Sequence, residues 1–366
     1  MAGSGNDFLI EFMTEDTVDR KLSPARMGFR MPAEWERHEA TWISWPRPEG
    51  ISFPDSYAAV TPVLAKMVKA LTESEKVCIN VNGAEQENEV RVHLKEGRVE
   101  LERITFFAIR TNEPWCRDHG PIFLVRSSEP KLAVVDWDYN AWGWKYPPFD
   151  FDDEVPAHVA RELNLPCFHP GMVLEGGSID VNGAGTLLTT KSCLLNPNRN
   201  PDLTKAEIEQ RLMDFLGVRH ILWLGDGIEG DDTDGHIDDI TRFVSRTRVV
   251  TAVEEDPEDP NHLPLQENLA KLRGMHTEDG TPLEVMTLPM PGRIVREGRR
   301  LPASYANFYI GNAVVLLPSF SDNCDAWAVA VLQTAFPHHK VVPIDCRELI
   351  WGLGAFHCLT QQQPCV

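Results

Sequence analysis

The sequence predicts an α/β protein, because apolar segments of strand length alternate along the chain with segments of helical periodicity. Among the expected strands are residues 77–81, 122–125, 132–135, 221–224, 249–253, 313–317 and 341–344. The chain contains no G-x-G-x-x-G ahead of a helix and no P-loop. A doubly wound nucleotide-binding fold is therefore not indicated.

Helices are predicted between these strands. One is indicated by apolar residues that repeat at helical spacing, namely Val60, Leu64, Met67, Val68 and Leu71. Another follows Thr204, which forms a capping box with Glu207, and a third covers residues 325–336. The glycines at 176–177 and 183–185 surround a predicted hairpin.

Polar residues recur at the ends of these apolar segments. They lie at residues 115–118, Glu175, residues 236–238, Asn323 and Cys358. Repeated strand–helix modules around a common centre would explain this recurrence.

Composition describes an ordinary globular protein with a large core. Of 366 residues, 42% are hydrophobic, and the formal charge is −20. Such a charge repels nucleic acid and anionic lipid, and it attracts cations. The start of the chain does not resemble a secretory signal and no apolar run could span a bilayer, so we expect a cytoplasmic protein without membrane partners. Residues 1–27 are predicted to form a loosely ordered leader and residues 28–366 the folded body.

The eight cysteines are scattered and include no C-x-x-C pair. Neither a zinc site nor a disulfide framework is indicated, so we expect no metal and mostly reduced, buried thiols. Cys358 differs because glycines precede it and a polar run follows it. It is either an incidental buried cysteine or a nucleophile that needs a base or a cation nearby. If its segment is extended, the neighbouring His357 faces away, and the working histidine comes from elsewhere.

The densest acidic run, residues 225–239, allows three interpretations. A calcium loop would need acidic residues where Gly230 and Thr241 stand, so calcium is disfavoured. The run could instead be a solvated turn. In a catalytic interpretation, His236 and Asp238 are two residues apart and present an imidazole and a carboxylate to one ligand.

A third segment, residues 115–121, brings together an aromatic ring, a cation and a carboxylate. Trp115 and Asp118 suit a flat cation such as guanidinium, through stacking and paired hydrogen bonds. Alternatively, Trp115 fills the core and Arg117 pairs with Asp118. Glu175 ends an apolar stretch and by itself indicates little.

Taken in order, these segments resemble the agmatine deiminase and bacterial-type peptidylarginine deiminase family. The matching segments are residues 28–35, 41–46, 115–121, 174–178, 233–238 and 357–362. The resemblance implies a pentein, or α/β-propeller, in which five pseudo-symmetric strand–helix modules surround a central active site. It makes residues 28–366 a single catalytic domain that needs no cofactor, and it is compatible with a homodimer.

The resemblance also assigns roles to the residues. Cys358 would be the nucleophile, His236 the general acid and base, and Glu175 the residue that orients His236. Asp118 and Asp238, beside Trp115, would hold the guanidinium. The implied reaction is hydrolysis of agmatine to N-carbamoylputrescine and ammonia through a covalent amidino-thioether.

The chain departs from the family pattern in three places. Asp180 stands where a histidine is common, residues 47–53 lack the usual Asp-Asn-Trp-Arg stretch, and Leu353 and Ala355 interrupt the glycine run before Cys358. Free or peptide-linked arginine therefore stays open as the substrate. Two other interpretations are a non-catalytic protein that binds a cationic ligand and a cysteine protease.

Overall fold

A computed structural model describes residues 23–366, and its strands form five sheets of one common design. In the first sheet, β1 (His38–Ser44) lies between β18 (Thr360–Pro364), which is antiparallel to it, and β2 (Lys76–Asn80), which is parallel. A further parallel strand, β3 (Ile104–Phe107), extends this sheet. The last strand of the chain therefore pairs with the first one.

The other four sheets repeat this pattern of one antiparallel and one parallel neighbour around a central strand. Their strands are β4 (Ile122–Val125), β5 (Leu132–Val135) and β6 (Cys167–Phe168); β7 (Ile179–Val181), β8 (Thr186–Thr190) and β9 (His220–Leu224); β10 (Thr241–Phe243), β11 (Arg248–Val253) and β12 (Glu284–Pro289); and β15 (Tyr309–Ile310), β16 (Val314–Ser319) and β17 (Lys340–Asp345). A small hairpin, β13 (Val295–Arg296) and β14 (Arg299–Arg300), stands apart from them.

One helix in each sheet joins the central strand to its parallel neighbour, because parallel strands need a crossover connection. These helices are α1 (Tyr57–Leu71), α6 (Val155–Glu162), α8 (Lys205–Leu216), α9 (His262–Leu272) and α10 (Asp325–Ala335). The remaining helix, α2 (Ala84–Glu96), links β2 to β3, and short turns are α3 (Cys116–His119), α4 (Ala141–Trp144), α5 (Asp150–Asp153), α7 (Lys191–Leu194) and α11 (Phe356–Leu359). Five strand–helix modules are thus confirmed.

The elements expected from the sequence are present with small shifts in their boundaries. Thr204 caps α8, and its hydroxyl and the side chain of Glu207 form both halves of the capping box. The residues that repeat at helical spacing in α1 are buried. Gly183 and Gly185, both with positive φ, lie in the turn between β7 and β8, which are antiparallel as predicted.

Each sheet is preceded by a short polar turn, and the five turns contact one another in a closed cycle. The turns are α3, residues 176–178, residues 237–239, the segment around Asn307, and α11. Gly177 N donates to Asp118, and an added Cβ on Gly177 would lie 3.1 Å from Asp238 Oδ2. Asn307 contacts Asp238 and the backbone of His357, whose carbonyl accepts from Arg117 and closes the cycle. Corresponding positions of all five modules therefore meet at one place.

Residues 1–22 of the predicted leader lie outside the described residues. Residues 24–27 form a 3₁₀ turn in which Pro24 is buried. All eight cysteines are free; Cys167 and Cys365 are exposed, and five are buried. Among residues 23–366, no helix is both long enough and apolar enough to cross a bilayer.

Candidate active site

The cycle of turns encloses the side chains that the sequence singles out. Cys358, His236, Glu175, Asp118 and Asp238 come from four of the five turns, and none is more than 6% exposed. The order in which these residues occur along the chain gives no hint of this closeness, because Asp118 and Cys358 are 240 positions apart. The module repeat is what brings them together.

Cys358 lies in α11, so the expectation of an extended segment around it is wrong. Asn307 Nδ2 donates to Cys358 Sγ at 3.0 Å, and the thiol lies 3.6 Å from Asp238 Oδ2. Burial raises the pKa of the Cys358 thiol well above its usual value, and the charges of Asp238, Asp239 and Asp118 raise it further. Without a bound cation, Cys358 is therefore held as the neutral thiol.

His236 precedes the turn at residues 237–239 and is fully buried. Its Nδ1 lies 3.7 Å from Asp118 Oδ1 and 4.0 Å from Asp238 Oδ1, and neither ring nitrogen has a hydrogen-bond partner among the described residues. Burial lowers the pKa of His236, but Asp118, Cys193 and Glu175 outweigh it and raise the pKa well above its usual value. The imidazole is thus held protonated between carboxylates.

The acidic run before His236 is a folded loop. Asp231 accepts hydrogen bonds from the backbone N–H of Thr233, Gly235 and His236. This turn chemistry is typical of an aspartate that caps the backbone following it. The run therefore fixes the position of His236, in addition to adding negative charge.

Asp118 is held by two donors from different segments. Gly177 N donates to Asp118 Oδ1 at 2.9 Å, and the Trp142 indole Nε1 donates to Oδ2 at 3.0 Å. Trp142 lies in α4, where four consecutive residues have positive φ. Burial raises the pKa of Asp118 to about 6, since it outweighs the effect of His236.

Gly177 has a clear structural reason to be glycine. A Cβ at this position would lie 2.6 Å from His236 Nδ1 and 2.7 Å from Asp118 Oδ1. Real Cβ atoms do not approach polar atoms so closely, so any side chain at Gly177 would displace the imidazole or the carboxylate. The backbone at Gly177 forms one wall of the site.

Asp238 joins the site to a second cluster of buried charges. His357 Nδ1 lies 2.7 Å from Asp238 Oδ2, and His357 Nε2 lies 2.9 Å from Glu34 Oε2. Burial raises the pKa of Asp238, but the hydrogen bond and charge of His357 outweigh it and hold the pKa below its usual value. Asp238 therefore stays ionised.

The Glu34 cluster, as we call it, consists of Glu34, Arg117, Asp180, Arg242 and His357. Glu34 Oε2 accepts from Arg242 at 2.8 Å and from Arg117 at 3.3 Å, while Oε1 accepts from Ile310 N. Asp180, where the family commonly has histidine, accepts from Arg242 and from Phe243 N. Arg117 therefore pairs with Glu34, and the alternative Arg117–Asp118 pair is wrong.

Glu175 is anchored by a residue that sequence reasoning missed. Arg199 Nε donates to Glu175 Oε1 at 2.5 Å, and Arg199 Nη2 donates to the carbonyl of Thr233. The second oxygen of Glu175 has no hydrogen-bond partner among the described residues. No hydrogen bond joins Glu175 to His236, although one donor atom of each lies within 4.8 Å of the other.

Trp115 is buried against the nucleophile segment. Its Nε1 donates to Ser52 Oγ at 2.9 Å. A Cβ on Gly354 would lie 2.6 Å from the Trp115 ring and 3.0 Å from Cys358 Cβ. The glycine before Cys358 thus lets the indole lie directly beside the cysteine.

Asn307 is the second residue that sequence reasoning missed. Its Nδ2 contacts Cys358 Sγ and Asp239 Oδ1, each at 3.0 Å, and its Oδ1 accepts from the backbone N–H of His357 and Cys358. Asn323, the residue expected at this module, is exposed in the turn before α10. The polar Asn307 inside an otherwise apolar and aromatic stretch was the available signal.

Chemically, the site is a buried, negatively charged group of side chains around an imidazole and a thiol. Asp118, Asp238 and Glu175 supply three carboxylates, and polar atoms of His236, Glu175 and Asp238 have no hydrogen-bond partner among the described residues. Buried polar atoms normally have partners. A small, flat cation with several N–H donors would satisfy these acceptors.

Comparisons with known proteins agree with this chemistry. Residues 30–364 match the model of the Porphyromonas-type peptidyl-arginine deiminase family. The chain is 39% identical to an agmatine deiminase of Pseudomonas aeruginosa, over 93% of this chain and 97% of that relative. Among solved structures, an Enterococcus faecalis agmatine deiminase aligns with a TM-score of 0.87 and 34% identity, over 93% of this chain and 97% of that one. A C. jejuni agmatine deiminase with substrate bound aligns with a TM-score of 0.83 and 31% identity, over 92% and 96%.

Proposed function

The chain belongs to the Porphyromonas-type peptidyl-arginine deiminase family, and from this membership we propose that it hydrolyses agmatine to N-carbamoylputrescine and ammonia. It is a hydrolase that acts on the C–N bond of a guanidino group. The proposal rests on the proximity of four buried side chains, those of Cys358, His236, Asp118 and Asp238. Cys358 Sγ lies 3.6 Å from Asp238 Oδ2, and His236 Nδ1 lies 3.7 Å from Asp118 Oδ1.

The two aspartates suit a guanidinium because Asp238 Oδ1 has no hydrogen-bond partner among the described residues and each oxygen of Asp118 accepts only one hydrogen bond. A guanidinium is planar and carries N–H donors in a fixed geometry that matches carboxylates. Held between Asp118 and Asp238, its central carbon would face Cys358 Sγ. Trp115 would supply a flat wall beside the sulfur.

Substrate binding would also activate the nucleophile. The pKa of Cys358 is raised by burial and by the negative charges of Asp238, Asp239 and Asp118. A cation between these carboxylates offsets their charge, so the thiol loses its proton to solvent when substrate arrives. The chemistry would thus begin only when the site is filled.

The reaction then needs one acid–base residue. The Cys358 thiolate adds to the guanidinium carbon, and protonated His236 gives its proton to the departing nitrogen, which leaves as ammonia. An amidino-thioether remains on Cys358. His236, now neutral, takes a proton from water, and the resulting hydroxide adds to the same carbon. The Cys358 thiolate then leaves and the added hydroxyl gives its proton to solvent, which yields the neutral ureido product.

Burial of the site favours a small, free substrate over a protein-bound arginine. Cys358 is 6% exposed and His236 and Asp238 are fully buried. A peptide-linked arginine carries a polypeptide backbone that must remain outside such a buried site, whereas agmatine has no backbone to accommodate. The agmatine deiminase relatives support the same choice.

The proposal also covers the domain organisation, the oligomeric state and the location of the protein. Residues 28–366 act as a single catalytic domain, since the closed cycle of turns needs all five modules. A homodimer and a cytoplasmic location stay predictions, which sedimentation of the purified protein and cell fractionation would check.

The decisive experiment measures ammonia release from agmatine, free arginine and an arginine-containing peptide, with the unsubstituted protein and Cys358→Ala. We expect turnover of agmatine that Cys358→Ala abolishes, while agmatine still binds to the variant because both aspartates remain. Turnover of the peptide alone would refute the substrate assignment. Thermal stabilisation by agmatine without ammonia release would instead indicate a non-catalytic binding protein.

A further inference from the structure

A group of three potential metal ligands lies on one side of His236. Glu175, Cys193 and His236 each offer one donor atom, these atoms all lie within 4.8 Å of one another, and all three side chains are buried. Both ring nitrogens of His236 and Oε2 of Glu175 have no hydrogen-bond partner among the described residues. Three donor atoms from separate segments thus converge, and those of two residues, Glu175 and His236, have no other partner, which a bound ligand would supply.

We propose that Glu175, Cys193 and His236 bind a divalent transition metal ion of the zinc class, and that the bound ion inhibits the enzyme. The inhibition, though not the binding, rests on the proposed deiminase function. Cys193 forms and breaks no bond in the reaction described above, and its one effect there is to help raise the pKa of His236.

The donor set selects the metal. One imidazole nitrogen, one thiolate and one carboxylate oxygen are the ligands that Zn²⁺ takes, whereas Mg²⁺ and Ca²⁺ prefer oxygen alone. Tetrahedral Zn²⁺ bonds of about 2.0–2.3 Å hold donor atoms roughly 3.5 Å apart, so the cluster must contract by only about 1 Å. The fourth position would hold water.

The surrounding charges favour a cation. Asp118 and Asp238 lie within 4.0 Å of His236, and Glu175 adds a third carboxylate. The facing positive group is Arg199, whose Nε hydrogen-bonds the other oxygen of Glu175 and leaves Oε2 available. Metal binding would release the protons of the Cys193 thiol and of His236 to solvent.

Inhibition follows from the use of the histidine. A ring nitrogen that coordinates the ion cannot carry the proton that the leaving nitrogen requires. General acid–base catalysis typically contributes about 10²-fold or more, so we expect at least about that loss of rate when the site is filled. Cys358 would remain unmodified and free, so removing the ion would restore activity.

The binding test uses cobalt as a spectroscopic probe on chelator-treated protein. Cys167→Ser and Cys365→Ser are introduced first, because these exposed thiols would bind metal by themselves. Co²⁺ is then titrated into this background and into the same background with Cys193→Ser or Cys358→Ser. We expect one Co²⁺ per chain and a thiolate-to-cobalt absorption band that Cys193→Ser removes and Cys358→Ser retains.

Two controls keep this test interpretable. Cys193→Ala replaces Cys193→Ser if the serine variant does not fold, and Cys346→Ala removes a thiol that is equally buried but lies outside the site. Loss of the band in Cys358→Ser with retention in Cys193→Ser would place the ion on the nucleophile and overturn the proposal. Absence of a band in the parent protein would overturn it as well.

The activity test compares ammonia release with Zn²⁺ and with chelator for the parent protein and for Cys193→Ser, which both retain the Cys358 nucleophile. We expect inhibition of the parent protein that chelator reverses, and a concentration for half inhibition at least about tenfold higher in Cys193→Ser, since one ligand is lost. If the parent protein and Cys193→Ser are half-inhibited at the same Zn²⁺ concentration, the proposal is wrong. A cobalt band in a protein that, after chelator treatment, releases no ammonia from agmatine, free arginine or the arginine-containing peptide would instead refute the deiminase function and leave the metal site standing.

Discussion

Two clusters of buried charge share Asp238, and they differ in how completely their polar atoms are paired. In the Glu34 cluster, both oxygens of Glu34 accept hydrogen bonds, and both nitrogens of His357 face carboxylates. In the reaction cluster, meaning Asp118, Glu175, His236, Asp238 and Cys358, acceptors and donors of three residues have no partner.

The difference separates structural residues from residues that bind a ligand. Leaving a buried polar atom unpaired costs about 1–3 kcal/mol, so a protein retains such atoms where a ligand completes them. The Glu34 cluster has nothing left to offer a ligand, and it holds segments from distant parts of the chain together. The reaction cluster is incomplete without substrate.

Glu34→Gln should have the largest effect, because it removes the charge that pairs with two buried guanidiniums. Breaking one partner out of a buried ion network costs about 3–5 kcal/mol, so we expect the free energy of unfolding to fall by about that amount. Denaturant unfolding monitored by circular dichroism would measure it.

Cys358→Ala is the matched change in the reaction cluster. It removes one thiol whose contacts are a single amide and a weak contact to Asp238, so we expect a change of about 1 kcal/mol or less in the free energy of unfolding. If Glu34→Gln and Cys358→Ala lower the free energy of unfolding equally, the Glu34 cluster stabilises the fold no more than the reaction cluster does.

The sequence predicted the reaction cluster better than the Glu34 cluster. Cys358, His236, Asp118 and Asp238 each stand out as a reactive or charged residue in a short polar segment. Glu175 was indicated by the family resemblance alone, and the structure brings all five together. Their segment conformations were harder to predict: α11 is a helical turn, because contacts of Asn307 with the backbone override the local pattern.

Glu34, Arg199 and Asn307 could not be recognised in the same way. Each acts through contacts across a long stretch of chain, as Glu34 does with Arg242 and with His357. Charged residues outside a reactive motif usually lie at the surface. For Asn307 the signals were its polar side chain in an apolar and aromatic stretch and the module repeat, which places Asn307 before β15 as Cys358 precedes β18.

His357→Gln tests the link between the two clusters. A hydrogen bond to a charged group is worth about 1.5–3 kcal/mol, so we expect kcat/KM to fall about tenfold or more. The pKa of Asp238, which His357 holds down against burial, should rise. Asp238 would then take up a proton at higher pH, so the acid limb of the pH–rate profile, which Asp118 begins near pH 6, should fall more steeply.

His38→Gln is the control for this shift. His38 Nε2 contacts the carbonyl of Glu34 at 2.6 Å but does not reach Asp238. We expect its acid limb to stay where it is in the unsubstituted protein. If the acid limb changes equally in His357→Gln and His38→Gln, altered packing around Glu34 is the cause, and the contact between His357 and Asp238 is not.

The protonation of Asp118 should govern how tightly substrate binds. Burial raises its pKa to about 6, so the carboxylate is charged above that pH and neutral below it. Calorimetric binding of agmatine to Cys358→Ala should therefore weaken as the pH falls below about 6, by up to about tenfold per pH unit. The double variant with Asp118→Asn should bind more weakly at pH 7 and lack this dependence; a Kd that stays constant from pH 7 to pH 5 would contradict the assignment.

Trp142→Phe should have the smallest effect, because it removes only one donor from the reaction cluster and keeps an aromatic ring in place. The indole Nε1 donates to Asp118 Oδ2 at 3.0 Å. A net hydrogen bond is worth about 0.5–1.5 kcal/mol, which corresponds to an increase in KM of about two- to tenfold with little change in kcat. Steady-state kinetics with agmatine would measure both.

Trp144→Phe provides the control within the same left-handed turn, because Trp144 is 69% exposed and no hydrogen bond joins it to Asp118 among the described contacts. We expect its KM to equal that of the unsubstituted protein. If Trp142→Phe also leaves KM unchanged, Asp118 does not need the indole to hold a cation, since Gly177 N alone fixes the carboxylate. The strained turn at residues 141–144 would then have only a structural role beside the site. Asp118 would be a substrate-binding residue and Trp142 would not.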